Sequence, residues 1–139
     1  MVAGLVAALV ALAIIYGFVA LRPVPPIDVD LGPDKTSFTT ATPVDQTFKV
    51  AEALPVSAKY KLGRADAAKG RVILHDGMGG NSFGFFYTID VAPAASGSTV
   101  TVGNKSKYPL SFGPIVRKQR VKAREALVEA LKAKLAAAI

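Results

Sequence analysis

Residues Val2 to Leu21 are twenty consecutive positions without a charge, filled mostly by Ala, Val, Leu and Ile. As a helix rising about 1.5 Å per residue, such a run reaches roughly 30 Å, the hydrocarbon thickness of a bilayer. Gly4 and Gly17 are ordinary inside membrane helices, and Tyr16 lies where an amphipathic ring meets the interface. Arg22 closes the run, and Pro23, Pro25 and Pro26 oppose any continuation of the helix. The pattern predicts a single membrane span over 1–22, with Val2, Tyr16, Leu21 and Arg22 marking the anchor. No basic stretch precedes it and the exit offers no small-x-small site, so it reads as a retained anchor and not a cleaved leader. Arg22 and Lys35 follow the span while the N-terminal tail is uncharged. That asymmetry places the C-terminal domain on the cytoplasmic side of the cell membrane.

The 118 residues after Leu21 suffice for one small domain with a modest core. Setting Arg22 aside, they carry sixteen basic and ten acidic residues, a net of +6. Beside a bilayer this balance predicts attraction to anionic headgroups, and it suits acidic patches on a membrane protein partner equally well. Nothing resembles a nucleic-acid-binding module. The chain has no cysteine, which removes disulfides, thiolate zinc sites, iron–sulfur clusters and thiol nucleophiles.

Three segments follow from the pattern: the anchor over 1–22, a Pro-rich linker over 23–35 and a domain over 36–139. In the linker Ile27, Val29 and Leu31 alternate with acids. Thr36 to Thr40 has strand composition, and Thr42-Pro43-Val44-Asp45 predicts a helix start with Thr42 as N-cap. Val44, Phe48 and Ala51 give that helix an apolar face. Alternation then predicts strands over 58–62 and 71–75. The strongest strand places Phe83, Phe85, Tyr87, Ile89 and Val91 on one face, against Gly84, Phe86, Thr88 and Asp90. A turn at Ala94 to Ser98 leads to a strand over 99–102, Tyr108 to Phe112 is an edge candidate, and a helix runs from Pro114 to the end. The fold class is α+β: an antiparallel sheet of about 4–6 strands, one short helix, and a long C-terminal helix on the apolar face.

This order resembles a shortened helix-grip domain of the START/polyketide-cyclase type, in which a curved sheet wraps a C-terminal helix. The resemblance covers Thr36 to Ala138 and rests on element order, the strand-Thr-Pro-x-Asp-helix opening and the last helix. It implies an apolar ligand between helix and sheet, and brings no catalytic motif with it.

Reactive constellations are missing from the sequence. His75 is the sole histidine, and its neighbour Asp76 would face the opposite side of a strand. Asp76-Gly77-Met78-Gly79-Gly80-Asn81 joins two strands, whereas a phosphate loop joins a strand to a helix. No metal-ligand spacing and no nucleophile elbow occur. The expectation is therefore no catalytic residue, no cofactor and no metal. On the C-terminal helix Val121, Leu127, Val128, Leu131, Leu135 and Ala138 share one stripe, with Lys118, Lys122, Glu125, Glu129 and Lys132 opposite. Arg120 falls inside the stripe, with Arg117 and Arg124 on its shoulder. These three either snorkel along the sheet rim or offer guanidinium groups to lipid phosphates or partner carboxylates.

The sequence reading is thus a non-enzymatic, single-pass membrane protein, serving as an accessory or assembly subunit of a larger membrane complex. Its expected partners are membrane lipids and integral membrane proteins, not nucleic acid. The alternative is a membrane-tethered carrier holding a lipid or other apolar small molecule between the sheet and the C-terminal helix.

Overall fold

The computed structural model describes residues 2–56, 59–77, 84–107 and 113–138, the side chains of 18–20 and 56 excepted. Helix α1 spans Val2–Ala20, and the Leu21 N–H closes it on the Gly17 carbonyl at 2.9 Å. Strand β1 (Lys35–Thr40) and helix α2 (Val44–Ala53) follow, then a 3₁₀ turn at Leu54–Val56. Strands β2 (Lys61–Asp66), β3 (Arg71–His75), β4 (Phe85–Ala94) and β5 (Gly97–Ser106) lead to helix α3 (Pro114–Ala137). The sheet order is β1-β5-β4-β3-β2, antiparallel at every pairing.

Among the described residues no helix is long and apolar enough to cross a membrane. The described side chains of α1 end at Gly17, so they do not carry the full run expected from the sequence. They are nevertheless apolar on every side and nearly all exposed, and large ones such as Leu5, Leu9 and Ile14 are more than half exposed.

One face of the sheet holds the core. Val72 and Leu74 of β3, Phe85, Tyr87, Ile89 and Val91 of β4, and Val100 and Val102 of β5 meet Leu127, Val128 and Leu131 of α3. Phe48 and Ala51 of α2 fill the space beside them. Period-2 alternation on the strands and the apolar stripe of α3 thus come together as expected.

Several boundaries differ from expectation. Strand β2 begins at Lys61; Tyr60, just before it, is buried and turned edge-on to the Tyr87 ring, 5.4 Å between centroids. Strand β5 runs ten residues, since its partner β4 continues the ladder from Val91↔Val100 to Ala94↔Gly97. Thr42 does not cap α2: Pro43 occupies the N-cap, and the Thr42 carbonyl accepts hydrogen bonds from Thr47 Oγ1 and Ser98 Oγ. Phe83 and the edge candidate 108–112 lie outside the described residues. Gly70 takes φ +66° between β2 and β3, where a Cβ would collide with the Val91 carbonyl.

The opposite face of the sheet is covered as well, by the segment expected to be a linker. Val24, Pro25, Ile27, Val29 and Leu31 are half-buried, alternating with exposed residues. Arg64 donates from Nε to the Pro25 carbonyl (2.8 Å) and from Nη2 to that of Val24 (3.3 Å). Arg71 grips Asp90 with two bonds, Nε–Oδ1 2.6 Å and Nη2–Oδ2 3.0 Å, and donates from Nη1 to the Ile27 and Val29 carbonyls. Gly63 admits the segment, because a Cβ there would stand 2.8 Å from Val24 Cγ1. Ile73, Phe86 and Thr88, which alternation assigns to this outer face, are therefore buried. Residues 23–34 form a strap across the sheet and not a free tether.

Candidate functional site

The register places the start of β1, the end of β3, the start of β4 and the end of β5 at one end of the sheet. Helix α1 leaves from this same end: Leu21, Arg22 and Pro23 line a depression of about 630 Å³ together with Phe86, Lys105 and Ser106. Helix α3 also begins here. Pro114 at its first turn has no amide hydrogen to leave unsatisfied, and Gly113 precedes it with φ 103°.

Among the described residues, the contacts of α3 with the core begin at Ala123 and its buried apolar residues at Leu127. Along the first half of α3 runs an open groove of about 1260 Å³, lined by Ile115, Val116, Gln119, Arg120 and Val121 among others. Ile115 is 74% exposed. Deeper between sheet and helix, Leu127, Val128 and Leu131 of α3 pack with the core residues of β3, β4 and β5.

The three arginines singled out by the helix pattern do not form one outward row. Arg124 is only 4% exposed. Its guanidinium donates to Thr36 Oγ1 (2.9 Å), the Asp34 carbonyl (3.0 Å), Asp34 Oδ1 (3.1 Å) and Asn104 Oδ1 (3.4 Å). It joins α3 to the end of the strap and the start of β1. The same guanidinium, followed by the opposing cost of desolvation, sets the Asp34 carboxyl, which lies below the usual carboxylate range. Arg120 places Nη2 3.4 Å from Asp34 Oδ2, and its carbonyl accepts from Asn104 Nδ2 at 2.8 Å. Arg120 Nε is buried without an acceptor among the described residues. Arg117 is exposed on the first turn of α3.

His75 and Asp76 face opposite sides, as strand geometry requires. Asp76 is buried on the core side. It accepts the Phe85 N–H at 2.7 Å on Oδ1 and the Tyr87 hydroxyl at 2.8 Å on Oδ2, with Lys59 Nζ 3.9 Å away. Burial, and then the Asp76 charge, push the Tyr60 hydroxyl up to about 12 and raise that of Tyr87 further. On the outer side His75 Nδ1 lies 2.9 Å from Lys107 Nζ, whose ammonium stands 5.2 Å from the centre of the Phe86 ring. Burial and the Lys107 and Lys61 charges hold His75 below its ordinary value, against a smaller opposing pull from Asp76. Burial likewise lowers Lys107. The neutral imidazole accepts from the ammonium, so Nδ1 is the unprotonated nitrogen.

Sequence pattern missed Lys107 and the buried Asp76–Tyr87 pair. The signal was hairpin register: Lys61↔His75, His75↔Phe86 and Phe86↔Lys105 make one rung across four strands. Among the described residues no group of three His, Cys, Asp or Glu is placed to hold a metal ion.

Neither a protein-family model nor a curated relative matches the sequence. Solved structures do. Protein MLL2253 from Mesorhizobium loti superposes with a TM-score of 0.52 at 11% identity, over 73% of this chain and 92% of that one. Ara h 8.0201 (TM-score 0.47, 12% identity) and TTHA0849 from Thermus thermophilus (0.46, 17%) each match over 75% of this chain and 97% of their own. At these identities the likeness is one of architecture, and the chain has a helix-grip fold: a five-stranded antiparallel sheet closed by a long C-terminal helix.

Proposed function

We propose that the chain is a non-enzymatic, membrane-anchored helix-grip domain that binds a lipid or similar apolar molecule in the groove along the first half of α3. The observation that carries this reading is the groove itself. It lies along the first turns of α3, ahead of the described core contacts, at the sheet end from which α1 departs. Arg120 Nε, a buried donor without an acceptor among the described residues, suits the carboxyl or phosphate oxygen of an amphiphile whose chain lies against Val116 and Val121.

Anchoring by α1 is part of the same proposal. A helix apolar on all sides is stable only inside a core or a membrane, and among the described residues none encloses α1 in a core. Arg22 beside the exit favours the cytoplasmic side for the domain. Deleting residues 1–21 should release a folded domain into the soluble fraction. A truncated chain retained in membranes after high-salt washing overturns the anchor. Labelling of Cys at Ser96→Cys, in the β4–β5 turn, by an impermeant reagent outside intact cells overturns the orientation.

Native mass spectrometry of the detergent-solubilised chain tests the ligand. A stoichiometric apolar molecule, lost from a folded Val116→Glu variant, is the expected result. A chain that carries no such molecule and does not take up a fluorescent fatty acid refutes the carrier reading. Exposed Ile115 beside Arg117 and Lys118 supports a second reading, docking of a membrane protein partner as an accessory subunit. Stoichiometric protein partners in the same preparation, lost on Ile115→Asp, would favour it.

A further inference from the structure

We propose that the rung Lys61–His75–Phe86–Lys105, with Lys107 fixed beside it, is a binding site for the headgroup of an anionic phospholipid. Residues paired along one rung of an antiparallel sheet share a face, about 4.8 Å from strand to strand. Lys61, His75, Phe86 and Lys105 occupy the outer face together, and Lys107 lies two positions beyond Lys105, on the same side by alternation. Lys61 and Lys105 are exposed, whereas Lys107 is only 6% exposed.

Lys107 is the informative member. A buried ammonium is normally matched by a carboxylate, because its desolvation is otherwise uncompensated. Here its partners are the neutral His75 ring and the face of Phe86. Asp76, the nearby acid that acts on it, is held on the other side of the strand by Phe85 and Tyr87. Among the described residues Lys107 has no ion pair, and the segments 57–58, 78–83 and 108–112 contain no Asp or Glu. Among the described residues the outer face here carries positive charge and no acid paired to it. A phosphodiester oxygen supplies a counter-ion, and flexible Lys61 and Lys105 can close on it from either side.

Position selects a lipid over a free anion. Leu21, Arg22 and Pro23 share one depression with Phe86 and Lys105, so the rung meets the point where the chain leaves α1. Basic residues immediately beside a span lie within the field of anionic headgroups. This inference rests on the anchoring reading and is independent of the groove along α3.

The full chain, purified through a histidine-free tag, is placed in nanodiscs of phosphatidylcholine alone or with phosphatidylglycerol. The sole histidine is then titrated by NMR. An anion bound beside His75 and Lys107 should raise the His75 pKa by about 0.5–1 unit in the anionic discs. A negative surface raises any nearby pKa, so the reference is the Lys61→Gln/Lys105→Gln variant in the same discs, which should lose at least half of the rise. Lys132→Gln should lose none of it. Equal titration in neutral and anionic discs, or a rise untouched by the double variant, overturns the headgroup site. An equal rise produced by inorganic phosphate in neutral discs assigns the site to a free anion and overturns the lipid. A chain that washes off the discs in high salt overturns the anchor and this site together, whereas one that stays but fails the titration overturns the site alone.

Discussion

Arg71 holds the strap, and its two roles can be separated by experiment. It forms a two-pronged pair with Asp90 and donates twice to strap carbonyls, 3.0 Å to Ile27 and 2.5 Å to Val29. Hydrogen bonds from a charged donor contribute about 1.5–3 kcal/mol each when buried. Ile27 and Val29 are only half-buried, so a detached strap would partly recover this through water. About 2 kcal/mol is then the expected share of the strap. The Asp90 pair adds about 1 kcal/mol, since that carboxylate is about one-third exposed. Arg71→Gln should therefore lower the urea-unfolding free energy of the domain by about 3 kcal/mol, and Asp90→Asn by about 1 kcal/mol. The decisive measurement is Arg71→Gln made in the Asp90→Asn background, where only the strap bonds remain to be lost. A cost near 2 kcal/mol there supports the strap as a structural element. A cost near zero would mean that the carbonyl contacts contribute nothing and the covering of the outer face needs another explanation. Arg64→Gln, which removes more exposed contacts to the Val24 and Pro25 carbonyls, should cost about 1 kcal/mol or less.

Leu127→Ala empties a fully buried site between α3 and the sheet and should cost about 2–5 kcal/mol, lowering the melting temperature by on the order of 10 °C, whereas exposed Lys132→Ala should change little. Gly70→Ala should cost about 1–3 kcal/mol by the same assay, from its positive φ and the overlap with the Val91 carbonyl. The pH dependence should show two acid-side losses in denaturation series. The folded-state pKa of His75 lies below its ordinary 6.5, so stability is level above that value and falls as pH drops through it toward the lower folded value; His75→Gln should remove this step. The folded-state pKa of Asp34 is likewise depressed, so its contribution is present above 3.8 and is lost as pH falls through the folded value, a step that Asp34→Asn should abolish.

The strand faces were legible because Phe85, Tyr87, Ile89 and Val91 repeat with period 2, and the α3 stripe because its leucines repeat at helical spacing. Both patterns are local. Ile27, Val29 and Leu31 carry the same alternation, yet their prolines and acids read as a linker. What makes them structural is a set of carbonyl contacts from Arg64 and Arg71, some forty residues away, and no residue pattern encodes side chain-to-carbonyl bonds at that range. The helix pattern puts Arg120 inside the stripe and Arg124 on its shoulder, yet Arg124 is the more buried of the two, and their partner Asp34 lies 86 and 90 positions earlier. Burial of Arg124 therefore depended on where the strap ends. The basic rung needed the register of three strand pairings at once. A one-residue slip in any of them would have sent its members to opposite faces.

A dozen residues hanging free between an anchor and a domain would behave as a leash, with a root-mean-square reach of about 20 Å and random headings. Laid along the sheet and fastened at Arg64, Arg71 and Arg124, the same dozen residues act as a bracket. If α1 anchors the chain as proposed above, a bracketed domain would not sample the cytosol and bilayer evenly. Its α3 groove would stay at one height above the lipid, and exchange with the membrane would become an intramolecular event whose rate is set by local lipid density and not by diffusion of the whole domain.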